Sequence, residues 1–205
     1  MPAGDGLGYF NRMYQLVTDA VTARLAASAF ADPAWIAQLD VTFGNLYLDA
    51  VRAASSGAPV ARAWDALLER RFDTGLAPLQ LALAGMNAHI NHDLAFALLR
   101  TNADRNVASS LASPQHADFE HVNGLLENTL PEALTVLATG PLGEAAEDSG
   151  KIGRYLAIWN VRVARDFAWS FADDLRTIGE PFRDVAIDAQ DRMTGVLGRS
   201  LLFSA

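Results

Sequence analysis

Residues Gly75 to Arg100 read GLAPLQLALAGMNAHINHDLAFALLR, and the fold turns on this stretch. At 3.6 residues per turn it makes about seven helical turns, and both of its ends are apolar on every side. A helix apolar all round belongs in the middle of a domain, so a buried central helix is expected over about 76–100. Its centre breaks the pattern with Asn87, His89, Asn91, His92 and Asp93. Buried polar groups cost about 1–3 kcal/mol each when unpartnered. The belt therefore implies a polar network, a ligand or a metal.

Outward from this helix every long segment has a period near 3.6, and none alternates with period 2. The fold class is all-α, a single-domain bundle of seven to eight helices over 1–205. Helix one is expected from about Gly8 to Ala27, with Phe10, Met13, Val17, Val21 and Leu25 as one apolar stripe. Asp32-Pro33 is a cap and first-turn signal for a second helix reaching about Ser55, which SSGAP ends. A short helix from Pro59 carries Trp64, Leu67, Leu68 and Phe72. After the central helix, a polar connection of about a dozen residues (TNADRNVASSLAS) leads to a fifth helix starting at Ser113-Pro114 and stopping at Pro131. A short helix PEALTVLATG and an acidic loop over 142–150 come next. A seventh helix runs from about Ile152 to Thr177, with Leu156, Trp159, Val163, Phe167 and Phe171 inward, and a last one from Phe182 to about Leu202.

Composition narrows the functions. A formal net charge of −8 lacks the basic footprint that nucleic acid or an anionic membrane surface requires. The absence of cysteine removes thiol chemistry, disulfides and Cys-ligated metals and suits a reducing compartment. No signal-peptide pattern opens the chain, and no segment has the 18 or so uninterrupted apolar residues of a membrane span, so a cytoplasmic protein is expected. There is no P-loop, dinucleotide glycine fingerprint or G-x-S-x-G elbow, which argues against ATP, NAD and the common serine-hydrolase mechanism.

All four histidines, His89, His92, His116 and His121, lie within positions 89–121. His89 and Asp93 are four apart and share a helical face, with Gly85 one turn earlier leaving room for a neighbour or ligand. Asn87 and Asn91 share a different face. On the fifth helix His116 and Glu120 repeat the i, i+4 spacing, while Asp118 and His121 lie on an adjoining face. A carboxylate beside an imidazole fixes its tautomer and raises its basicity, giving a general base, a metal ligand or simply a buried polar clamp. Asn45 in FGNLYLDAV is a further candidate contact. Arg165 could stack on Trp169 and hold a substrate carboxylate, with an Arg162–Asp166 ion pair as the plainer use of that helix.

The stretches GMNAHINHDLAFAL (85–98), FGNLYLDA (43–50), HADFEHVN (116–123) and ARDFAW (164–169) resemble a bacterial family known as domain of unknown function 5995. The resemblance implies a helical fold centred on Asn87, His89, Asn91 and Asp93, with Asp118 and Asn123 as companions, and implies no activity. A looser similarity of spacing is to zinc-dependent phospholipase C and P1 nuclease, whose metals sit on H-x-x-x-D and H-x-x-x-E helices. It implies at most one metal, because the chain has no further histidine and begins Met-Pro-Ala-Gly.

These readings favour an enzyme acting on a small organic molecule without a cofactor, by elimination, isomerisation or cyclisation. In it His89 is the base or acid, Asp93 its orienter, and Asn87 and Asn91 the donors to a substrate oxygen. His92, Asn45, Asp118, His121, Asn123 and Arg165 are the candidate substrate contacts. One alternative is a metal-assisted hydrolase with one divalent ion, zinc by ligand type, on His89, Asp93, His116 and Glu120. The other is a non-catalytic binding or interaction module, in which the belt only fixes core packing.

Overall fold

The computed structural model describes residues 4–26, 30–108, 110–139 and 160–202. Among them the order is α1 (Gly6–Ala26), α2 (Pro33–Ser56), α3 (Arg62–Arg70), α4 (Pro78–Ala88), a π-helical turn (His89–Asp93), α5 (Leu94–Asp104), α6 (Pro114–Thr139), α7 (Val161–Thr177) and α8 (Phe182–Leu201). The protein is all-α, and among the described residues there is no strand. No described helix is long and apolar enough to cross a membrane.

Helix ends follow local chemistry. The Asp32 carboxylate accepts from the Trp35 N–H at 3.0 Å with Pro33 in the first turn, and Gly57 closes α2 in the left-handed region at φ 72°, where a glycine bears no Cβ penalty. Asn160 caps α7 by accepting from the Val163 N–H. α3 has no cap of its own: the Asp191 carboxylate, from α8, accepts from the Arg62 and Ala63 N–H groups at 3.1 and 2.9 Å. A negative charge there also meets the positive end of the helix dipole.

α4, the π turn and α5 form the central rod. Every residue from Leu79 to Ala88 is buried, as an all-round apolar helix requires. α1, α2 and α3 pack against the rod, and α7 and α8 contact its π turn. One continuous core joins Phe10, Trp35, Trp64, Leu83, Leu98, Phe119 and Trp169.

Three expectations change. The central rod is not one regular α-helix, because the Leu94 N–H donates to the His89 carbonyl, a five-residue step. α6 continues through Pro131 to Thr139; proline's φ is helical, so the helix can go on at the expense of one ladder bond. Phe72, Val163 and Phe167, expected inward, are 62%, 61% and 43% exposed. The acidic loop at 142–150, the start of the seventh helix with Leu156 and Trp159, and the Val21 and Leu25 side chains lie outside the described residues.

α3 and α8 cross closely where α8 carries glycine. A Cβ at Gly195 would lie 2.7 Å from the Arg62 carbonyl oxygen, and one at Gly198 2.9 Å from the Ala66 Cβ. Gly195→Ala should therefore destabilise the protein by about 1–3 kcal/mol through overpacking, despite alanine's higher helix propensity of up to about 1 kcal/mol. Urea denaturation checks this; a midpoint unchanged or raised would show that the two helices separate freely.

Candidate functional site

The end of α4 and the π turn hold the polar belt, and the belt divides between two sides of the rod. On the first side, Asp93 is the hub. Its Oδ2 accepts from the Trp64 Nε1–H at 3.1 Å and faces His89 Nδ1 at 3.0 Å, while Oδ1 faces His92 Nδ1 at 2.8 Å. Its side chain is 4% exposed. Burial pushes the carboxyl up, but the hydrogen bonds from His89 and His92 outweigh it and hold Asp93 below the ordinary carboxylate range. Asp93 is therefore ionised at neutral pH, and an ionised carboxylate only accepts. His89 consequently carries its proton on Nδ1.

The His89 ring is enclosed by aromatics. Phe43 stacks on it face to face, with centroids 3.5 Å apart and planes 4° from parallel, and Phe10 and Tyr14 meet it edge-on. Burial drives the imidazole pKa down, and Asp93 opposes this without reversing it, so His89 is neutral at pH 7. Its Nε2 is buried and, among the described residues, has no hydrogen-bond partner. The ring lines a cavity of about 40 Å³ with almost wholly apolar walls, bounded by α1, α2, α6, α7 and the rod, and Tyr14 and Arg165 also line it. The room expected beside Gly85 is taken by the Phe10 ring, 2.7 Å from where a Cβ would stand.

Arg165 is buried on α7. Its Nε donates to Asn123 Oδ1, and its guanidinium lies 4.2 Å from the Phe119 ring centroid. Burial pulls its pKa to about 10 against the pull of Glu120 and Asp166, so it stays charged at neutral pH. Two details differ from the sequence reading. The stacking partner is Phe119, not Trp169, and Arg162 pairs with Glu120 and Glu127 across to α6 instead of with Asp166.

On the second side of the rod the amides serve one another. Asn91 donates to Asn87 Oδ1 at 3.0 Å, Asn87 donates to the Thr194 carbonyl at 2.9 Å, and Gln190 donates to the Asn91 carbonyl inside the π turn. They floor a groove of about 340 Å³ between α7 and α8, walled by Val163, Phe167, Met193 and Leu197. Asn87 and Asn91 thus face away from the His89 cavity and do not line it. The expected set of four splits into a His89–Asp93 pair and an Asn87–Asn91 pair.

The remaining candidates fall as follows. His92 reaches toward the surface, its Nε2 3.8 Å from Asp191 Oδ1, so a polar chain runs from His89 through Asp93 and His92 to the α3 cap. Asn45 is exposed on α2, whereas Phe43 and Tyr47 of the same motif face inward. Asp118 accepts from the Ala31 and Asp32 N–H groups at 2.7 and 2.6 Å and braces the entry to α2. His121 is exposed and packs edge-on against Phe30. Asn123 is fully buried between Arg165, Glu120 and Asp166. His116 packs against Trp169, and Glu120 pairs with Arg162. Among the described residues no three His, Asp or Glu side chains converge as a metal-ligand group, so His89, Asp93, His116 and Glu120 are not brought together.

Phe43, Tyr14, Trp64 and Gln190 escaped the sequence reading. Trp64 had a place only as a packing residue of its short helix, and an aromatic that lines a site carries the same periodic signal as one that fills a core.

His89 gives the site a pH signature. Its folded pKa lies below the unfolded value of about 6.5, so below pH 6.5 the unfolded chain binds a proton that the folded chain refuses. Stability should fall as pH drops from 7 towards 5, by up to about 1.4 kcal/mol per unit. His89→Gln should lose that slope, while Asp93, whose depressed pKa acts only below about pH 4, leaves this window alone. Chemical denaturation at pH 5, 6 and 7 checks it; equal slopes in both proteins would mean that His89 titrates normally.

The family model described as "Family of unknown function (DUF5995)" matches residues 1–204. No curated protein and no solved structure matches the chain. The chain belongs to the DUF5995 family.

Proposed function

We propose that this protein is a cofactor-independent enzyme that performs acid/base chemistry on a small organic molecule, with His89 Nε2 as the base and Asp93 as the positioning residue. The observation that carries this reading is the pairing of an unpartnered, buried Nε2 with an Nδ1 anchored on an ionised carboxylate. A buried polar atom without a partner is costly, and a neutral imidazole with a free lone pair beside a cavity is a base awaiting a proton. Abstraction of a C–H proton by Nε2 makes the ring an imidazolium next to Asp93, which stabilises it. Return of that proton to another carbon is isomerisation, and departure of a leaving group is elimination.

The cavity holds only a small group. Turnover of anything larger requires the α1 wall to give way, and Tyr14 and Val17, which line it, are only partly buried. The larger groove on the other side has ligand size but amide, hydroxyl and apolar walls with no titratable group. That groove supports the second reading, a non-catalytic binding module whose amides would meet a ligand between α7 and α8.

Proton exchange separates the readings without a known product. Incubated in D2O with a panel of small organic acids, ketones and alcohols, the wild-type protein should catalyse C–H to C–D exchange in at least one compound. His89→Gln should slow that exchange by about 100-fold or more, in line with the usual contribution of a general base, and remain folded. Exchange at the same rate in His89→Gln, or none with any compound while ligands bind in the α7–α8 groove, would favour the binding module.

A further inference from the structure

We infer that the outward face of α7 and α8 is an interface that pairs this chain with a second copy of itself. The inference goes beyond the enzymatic reading and does not rest on it. Among the described residues, more than half of the large apolar side chains that stand exposed belong to these two helices. Apolar surface gathered in this way marks an interaction site, whereas scattered single residues need no explanation. On α8 the exposed positions form a stripe. Phe182, Val185, Ala189, Met193, Val196 and Ser200 recur every three or four residues, which at 3.6 residues per turn keeps them within about a third of the circumference. A helix face that meets only water is ordinarily charged or polar. This stripe carries no charge from end to end, and its Phe182 and Val196 are 72% and 66% exposed.

Charges edge the stripe on its α3 side, where Asp188 pairs with Arg62 and Arg192, and Arg199 with Glu69. Along its other edge lies the groove, in which Val163 and Phe167 of α7 face Met193 and Leu197 of α8. The face thus sets an uncharged ridge beside an apolar groove, with Met193 between them. A two-fold axis near Met193 lays the ridge of each copy in the groove of the other, the self-complementary contact of a closed dimer. A single foreign helix in the groove would leave Phe182, Val185 and Val196 in water. The area is sufficient. α7 and α8 are 17 and 20 residues long, about 25 and 30 Å, and each is about 10 Å wide with its side chains. Side by side they present roughly 600 Å² per copy, and the total of about 1,200 Å² reaches the lower bound for a stable, specific interface. The chain's net charge of −8 opposes self-association, so a face free of charge is where two copies can meet. A copy seated there also closes the groove to the ligand of the binding-module reading.

The test is analytical ultracentrifugation of the purified full chain. At about 100 μM, above the weak end of affinities for interfaces of this size, the wild type should sediment as a closed particle of twice the 22.0 kDa chain mass. Val185→Glu and Val196→Glu change positions that are exposed in the single chain. Each should keep the helical circular dichroism and weaken the dimer by about 100-fold or more, because the new carboxylate loses its water without gaining a partner. Leu111→Glu, at an exposed apolar position outside the face, should change the dimer by no more than about two-fold. The chain has no cysteine, so Met193→Cys introduces a single thiol, which a short bis-maleimide should link to its counterpart, while Leu111→Cys should stay unlinked. A monomer at that concentration, whichever other segment or protein covers the face, would overturn the inference. So would an assembly that grows past the dimer, a dimer that both valine variants leave intact, or Leu111→Cys linking as readily as Met193→Cys. The wild-type mass and the crosslink stand even if a glutamate variant does not fold.

Discussion

The Asp93 carboxylate is the charge around which the interior is arranged. It is nearly inaccessible, yet ionised, because three donors from two elements converge on it: the Trp64 indole of α3 and the two imidazoles of the π turn. Removing a partner from such a hub leaves an uncompensated buried charge, which typically costs about 3–5 kcal/mol. The hub also fixes chemistry at a distance from itself. By occupying His89 Nδ1 it leaves Nε2 as the acceptor, and by bonding His92 it links the core to Asp191 and the α3 terminus.

The π turn lets one short segment supply two faces. A five-residue step at His89–Asp93 sets the imidazole and carboxylate against α1, α2 and α3, while the Asn91 carbonyl is met by Gln190 from α8. Such turns are frequent at functional sites. Here the consequence is a division of labour: a titratable pair in an aromatic enclosure on one side, a mutually satisfied amide cluster on the other.

Much of this was legible in the chain. The central rod followed from apolar residues on all its sides, the α2 entry from Asp32-Pro33, and the His89–Asp93 contact from i, i+4 spacing. Other features were not. An α and a π turn differ by one residue in hydrogen-bond step and share the same residue types, so HINHD gave no sign of the change. Asn45 looked like the chemical residue of FGNLY, but on α2 the inward positions are Phe43 and Tyr47. The matched spacings of His89/Asp93 and His116/Glu120 said what each helix presents and nothing of the distance between them; packing left them in separate networks. Pro131 reads as a stop, although a long helix can absorb one missing donor.

The chemistry of His89 turns on the state of one nitrogen. In 15N-histidine-labelled protein at pH 7, His89 should show a protonated Nδ1 coupled to its hydrogen and an unprotonated, pyridine-like Nε2, unlike an imidazolium or the opposite tautomer. A doubly protonated ring, or a hydrogen on Nε2, would contradict it: Nε2 would then be a donor, and His89 could not be the resting base.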